Sequence, residues 1–414
     1  MMNTLTILFL VALAAMLITE LWLGRRQILS VRQHRDAVPG AFSEQIDLAT
    51  HRKAADYTIA RTRLGLISGF YSAAILLMFT LGGGLQQIDD LSRQWLENPL
   101  LTGVVFIVLT IIIGAVLDLP FTLYKTFGLE ARFGFNKTTP GLYITDIIKQ
   151  TLLFLVIGVP LLFTALWLMQ VSGKYWWLYL WLVWMAFNLL AMVIYPIWIA
   201  PLFNKFETLE DETVSKSVTE LMKRTGFKVQ GLFVVDGSRR SAHSNAYFTG
   251  LGKSKRVVFF DTLLDTLSAD EIVAVLAHEL GHFKRRHIIK RISVFFMISL
   301  VALALLGGLM QQQWFYQGLG MTTPSNHAAL MLFMMVGPVF LFFIHPISSW
   351  FSRKHEFEAD DYAKENANAG DLVTALLKLY RDNANTLTPD PIHSAFYDSH
   401  PPASIRIKHL QSAN

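Results

Sequence analysis

Seven apolar stretches dominate this chain, at about 4–23, 65–86, 99–119, 151–171, 175–200, 288–310 and 327–350. Each is near the ~20 residues that carry a helix across a bilayer. Lipid offers no partner to backbone N–H and C=O groups, so such segments cross as helices that bond internally. The expected fold is therefore mainly α: a seven-transmembrane-helix bundle with a small α+β portion outside the lipid. Composition agrees, since only 16% of the 414 residues are charged and 53% are hydrophobic, against about 25% charged in soluble domains. The net charge of +5 then belongs to loops on the cytoplasmic face, and no nucleic-acid partner is expected. The first stretch follows "MMNT", which lacks a basic n-region, so it reads as an uncleaved anchor.

Basic residues set the expected orientation. Arg25, Arg26, Arg32, Arg35, Arg52, Lys53, Arg61 and Arg63 follow the first stretch, and Lys125, Arg132, Lys137 and Lys149 follow the third. The connection after the second has only Arg93 beside Asp89, Asp90 and Glu97, that after the fourth has Lys174 alone, and 311–326 has none. This alternation puts the N-terminus outside and residues 201–287 and 351–414 inside. The expected organisation is 1–200 for spans one to five, 201–287 for a first catalytic portion, 288–350 for spans six and seven, and 351–414 for a second. The C-terminal "QSAN" shows no endoplasmic-reticulum retrieval signal, and a bacterial inner membrane is the expected location.

Within 201–287, residues 209–227 have the pattern of an amphipathic helix, and 231–237, 242–250 and 255–261 read as short strands. Ser268 followed by Glu271 is a capping box, which starts a helix at about 269. That helix carries His278-Glu279-Leu280-Gly281-His282 and runs on toward the sixth span. Histidines four apart share a helix face and reach one ion, while Glu279 beside them is placed to take a proton from attacking water. The chain has no cysteine, so any metal is held by histidine and carboxylate. A third ligand is sought in "SRKHEFEADDYA" (352–363), where Glu356 and Asp360 lie four apart on one face. The segment offers Glu356, Glu358, Asp360 and Asp361, and a face bearing both Glu356 and Asp360 lets the first ligate while the second accepts a ligand imidazole's N–H. Glu358, about 200° round the helix from Glu356, faces elsewhere. His243, His287, His355 and His393 lie near these motifs without the ligand spacing, and His287 falls in the basic cluster 284–291 expected at the membrane interface.

HELGH followed at a distance by EFEAD closely resembles the integral-membrane zinc CAAX prenyl endopeptidases, the yeast a-factor-converting type. "FGFNKTT" (133–139), "YPIWIAPLFNKF" (195–206), "HSNAYFTG" (243–250) and "SHPPASIRI" (399–407) carry the likeness through most of the chain. The resemblance implies one Zn2+ per chain on His278, His282 and Glu356, with Glu279 as general base and Asp360 behind a ligand. It implies peptide binding along Asn245, Ala246 and Tyr247, and roles for His400 and Arg406 near the reacting carbonyl. The implied activity is hydrolysis of peptide or protein substrates, prenylated ones among them, at the lipid bilayer, and the implied architecture is a seven-transmembrane-helix bundle around a chamber. Asp118, Asn188 and His345, polar within or beside spans, are expected to face the bundle interior or a wet cavity. Two other readings are a metal-binding membrane transporter and a catalytically silent relative. Glu279 separates them, because transport needs no carboxylate base between the ligands.

Overall fold

In the computed structural model, which describes residues 3–250 and 255–412, seven helices are long and apolar enough to cross a membrane. They run Thr4–Gln33, Leu48–Phe79, Pro99–Glu130, Pro140–Val171, Gly173–Phe203, His287–Leu309 and Asn326–Asn366. The second ends earlier than the expected 86. Thr80 leaves the helix, Gly83 takes φ +77°, and a separate amphipathic helix follows over Gly84–Trp95. That helix caps the bundle, with Asp89 fully buried and 2.7 Å from His327 Nε2 at the start of the seventh span.

The seventh span is the decisive element. Its helical run lasts 41 residues, or roughly 60 Å at 1.5 Å per residue. That is about twice the hydrocarbon thickness, so its C-terminal half extends past the lipid. Pro338 and a tighter turn at Phe342–Ile344 interrupt its regularity without ending it.

Outside the spans lies a four-stranded sheet with strands β1 (Phe206–Thr208), β2 (Gly231–Val235), β3 (Ala246–Thr249) and β4 (Arg256–Phe260). Their order is β1-β2-β4-β3, with β2 and β4 parallel and the other two pairs antiparallel. Three strands match the expected stretches, each trimmed at its ends. β1 is too short for alternation to mark it in the sequence. The FGFNKTT stretch fastens this sheet to the spans: Ala242 N–H donates to Phe135 O, Lys137 N–H to Arg240 O, and Arg240 grips Asp146 through two bonds of 2.9 and 3.0 Å.

The amphipathic helix is Glu212–Thr225, capped by Asp211 and ended by Gly226 at φ +64°. The motif helix is Ala269–Lys284, and both halves of its capping box form. It does not run unbroken into the sixth span. Arg286 takes φ +58°, a left-handed conformation, and the span helix restarts at His287. Leu276, Leu280, Val257 and Phe259 close a core that is inaccessible to solvent.

Candidate active site

The motif helix meets the emergent half of the seventh helix at close range. A Cβ on Gly281 would lie 2.8 Å from Ala359 Cα, so only glycine permits this approach. The contact sets the face bearing His278 and His282 against the face bearing Glu356 and Asp360. Each of His278, His282 and Glu356 offers one donor atom, and the three atoms lie within 4.8 Å of one another. Glu356 Oε1 is 3.4 Å from His282 Nε2, and Oε2 is 3.5 Å from His278 Nε2.

The chemistry of this set fits a metal cation. His278 Nδ1 is 2.7 Å from Asp360 Oδ1, so its proton sits there and Nε2 presents a lone pair. His282 Nδ1 is likewise engaged, 3.0 Å from His287 Nδ1. The two Nε2 atoms then face each other across 3.3 Å, beside a carboxylate whose buried Oε2 has no hydrogen-bond partner. Lone pairs and an anion converging in this way call for positive charge. Without a metal a proton supplies it on His278: burial disfavours the imidazolium, but bonds to Asp360 and Glu356 outweigh it and push its pKa up to about 9, and a bound cation would take that proton's place.

Arg406 is 5% exposed. Its Nε donates to Asp360 Oδ2 at 2.9 Å and its Nη2 to Oδ1, while Nη1 stays 3.7 Å from Glu356 Oε2. The guanidinium is thus fixed behind the cluster by a bidentate pair rather than on its open side. His400 takes that open position: its side chain is 63% exposed and Nε2 lies 3.5 Å from Glu356 Oε1. Glu279 is half-buried on the motif helix. β3 is an edge strand with one free side, and Asn245 before it is exposed, its Oδ1 accepting from Ala246 N–H.

Of the nearby histidines, His243 stacks on Phe135 at 4.4 Å and His393 packs on Tyr397 at 5.0 Å, neither in the cluster. His287, in the basic cluster, is buried within the protein, 1% exposed. Glu358 does face away from the three donors, and what it faces is His287, at 2.9 Å from Nε2. The sequence reading missed this partnership, which depends on the break at Arg286.

A cavity of about 630 Å³ opens beside the cluster, lined by Glu20, Arg61, Tyr397, Asp398 and His400 among others. Glu20, a carboxylate within the first span, is a further group the sequence reading passed over. Asp118 is exposed and bonded to Thr122, Asn188 bonds back to Trp184 O, and His345 Nδ1 lies 3.0 Å from Phe396 O.

Comparison with known proteins gives a consistent result. A family model described as the CAAX prenyl protease N-terminal region with five membrane helices matches residues 27–205, and that of peptidase family M48 matches 208–414. CAAX prenyl protease 1 of Saccharomyces cerevisiae is 32% identical over 94% of this chain and 92% of its own length. The human CAAX prenyl protease 1 homolog is 30% identical over 95% and 92%, and the Oryza sativa homolog 39% over 77% and 75%. The crystal structure of S. mikatae Ste24p superposes with a TM-score of 0.91 at 32% identity, covering 100% of both chains. These relatives are eukaryotic, so the expected bacterial membrane finds no support among them. The five-helix membrane region and the seven apolar helices support a multi-pass membrane protein, and the M48 match a metallopeptidase site. Covered by both family models and by full-length relatives, the chain belongs to the CAAX prenyl proteases of peptidase family M48, membrane metalloendopeptidases.

Proposed function

We propose that this chain hydrolyses peptide bonds with one zinc ion held by His278, His282 and Glu356, on the cytoplasmic side of its membrane. The observation that carries this is the convergence of two imidazole lone pairs and an unpartnered carboxylate oxygen within 4.8 Å. An N,N,O donor set with no thiolate is typical of catalytic zinc. Bound there, zinc supplies a Lewis acid for the scissile carbonyl. Glu279 takes a proton from the attacking water and delivers it to the leaving amine as the C–N bond breaks. His400, on the open side, donates toward the carbonyl oxygen as its negative charge develops. Asp360 holds His278 in the tautomer that presents Nε2, and Arg406 holds Asp360. The free edge of β3, led by Asn245, Ala246 and Tyr247, takes an extended peptide as an added strand. Neither transport nor a silent relative is favoured for a member of a peptidase family.

Glu279→Gln tests the assignment. It keeps all three donors, so zinc content is expected to persist while peptidase activity falls by several orders of magnitude. Near wild-type turnover by zinc-loaded mutant would exclude Glu279 as the base.

The orientation is testable because the chain has no native cysteine. Cysteines at Gln87 or Gln312 are expected to react with an impermeant thiol reagent from outside, and those at Ser30 or Ser215 only after the membrane is opened. The reverse pattern would place the site outside. A prenyl group, sheltered by apolar span residues, is expected to speed cleavage without being required, since no residue described above reads a thioether. Complete inactivity on unmodified peptides beside rapid cleavage of prenylated ones would refute that.

A further inference from the structure

The two imidazoles of the cluster are supported differently. His278 meets a carboxylate directly, through Asp360. His282 meets another histidine: its Nδ1 lies 3.0 Å from His287 Nδ1, and His287 Nε2 lies 2.9 Å from Glu358 Oε2. Only one proton arrangement satisfies all of these contacts while leaving His282 Nε2 free. Nδ1–H of His282 donates to Nδ1 of His287, and Nε2–H of His287 donates to Glu358.

The backbone is bent to make this possible. In an unbroken helix, His287 would sit about 140° round the axis from His282, at 100° per residue, and the two rings could not meet. Arg286, between the motif helix and the sixth span, adopts φ +58°, which is unfavourable for a side chain with a Cβ. That turn redirects His287 onto His282 and buries it. Its ring is further clamped by His355, stacked at 4.0 Å and 15°. A locally strained residue that serves to aim a buried imidazole is the pattern of a functional constraint.

We propose that His287 and Glu358 form a positioning relay that fixes the tautomer and direction of His282. The proposal rests on His282 being a zinc ligand, as argued above. Neither residue touches the metal or the substrate; the role of both is to hold Nε2 of His282 as a lone pair aimed at the cluster. Outer partners of this kind typically contribute 10- to 100-fold to metal affinity.

The test measures zinc affinity of the full chain in detergent by competition with graded chelators, without reference to activity. His287→Phe is expected to weaken zinc binding by roughly 10- to 100-fold, and Glu358→Ala by about 10-fold. His287→Gln, whose amide both accepts and donates, is expected to recover most of the loss; a purely space-filling role predicts no such rescue. The double variant His287→Phe/Glu358→Ala is expected to be no weaker than His287→Phe alone, because one relay is broken once. Should His287→Phe fail to fold, Glu358→Ala decides, since that side chain is 31% exposed and tolerates truncation. Wild-type zinc affinity in Glu358→Ala, or strictly additive losses, would overturn the relay. His282→Ala separates this from the underlying assignment: if it loses zinc while the relay variants do not, only the relay is wrong. If His282→Ala itself retains zinc, the ligand assignment falls and the relay with it.

Discussion

The catalytic layer and the span bundle share one continuous helix yet hold together by different means. In the layer, Leu276, Leu280, Val257 and Ala359 are wholly enclosed by protein. In the bundle, spans five and six have only 6% of their most apolar stretches covered, and Val301 is 60% exposed. Lipid tails are as apolar as leucine, so a span gains little from covering its apolar side chains with protein rather than lipid. The layer has no such alternative and must close its own core. Donor atoms that must meet within a few ångströms are therefore placed by the layer. The bundle supplies the cavity that reaches them. The seventh helix serves both regions, leaving the bundle to set Glu356 and Asp360 against the motif helix.

Removing the donor that this helix delivers is expected to have the largest effect on the comparison. Glu356→Ala leaves two histidines, and zinc retention against a graded chelator is expected to be lost outright, with the spans still folded. Retention of zinc would show that the long helix is not what completes the site. Next comes the layer's core. Leu280→Ala opens a cavity among fully buried neighbours, and a loss of about 2–5 kcal/mol is expected, read from thermal unfolding in detergent. Asp360→Ala is expected to weaken zinc by roughly 10- to 100-fold, because His278 and Arg406 both lose their acceptor. A loss as complete as that of Glu356→Ala would make Asp360 a ligand rather than a brace.

What could be read from the sequence divides along the same line. Ser268 with Glu271 is a local signal, and it starts its helix where expected, while the amphipathic helix expected over 209–227 runs Glu212–Thr225, bounded by Asp211 and Gly226. His278, His282, Glu356 and Asp360 were legible because helical spacing alone puts each pair on one face. Glu358 was legible only in the negative, as a residue facing away, since what it faces lies on another helix. The contact of His287 with His282 was not legible because spacing arguments assume an unbroken helix, and nothing in "KRRHII" marks Arg286 as left-handed. Arg406 was expected near the reacting carbonyl, and its bidentate grip on Asp360 depends on the packing of the C-terminal helix, which the sequence does not show. In the bundle, apolar runs located all seven spans, but helices run past them to Gln33, Leu48, Glu130 and Pro140, because a helix tolerates the polar residues that end an apolar run. The limit of the second span was read poorly at "LGGG", where glycines end it without a change in polarity. Wider π turns at Tyr124–Glu130, Phe154–Gly158 and Tyr195–Ile199 have no sequence signal that hydropathy could register.

The smallest expected effect is the sharpest check on the difference between the two regions. Val301 is as apolar as Leu280 is, and truncating it also removes methyl groups, so side-chain chemistry alone predicts a comparable loss. Its surroundings predict otherwise. Protein covers little of Val301, so Val301→Ala leaves no rigid cavity and the vacated volume is filled by lipid or detergent. Alanine is also the better helix former, by several tenths of a kcal/mol. The net change in stability is expected to stay within about 0.5 kcal/mol, several-fold below that of Leu280→Ala measured in the same detergent. A loss matching that of Leu280→Ala would mean that this face of the sixth span is packed against a partner in the membrane. The bundle would then depend on protein contacts as the layer does.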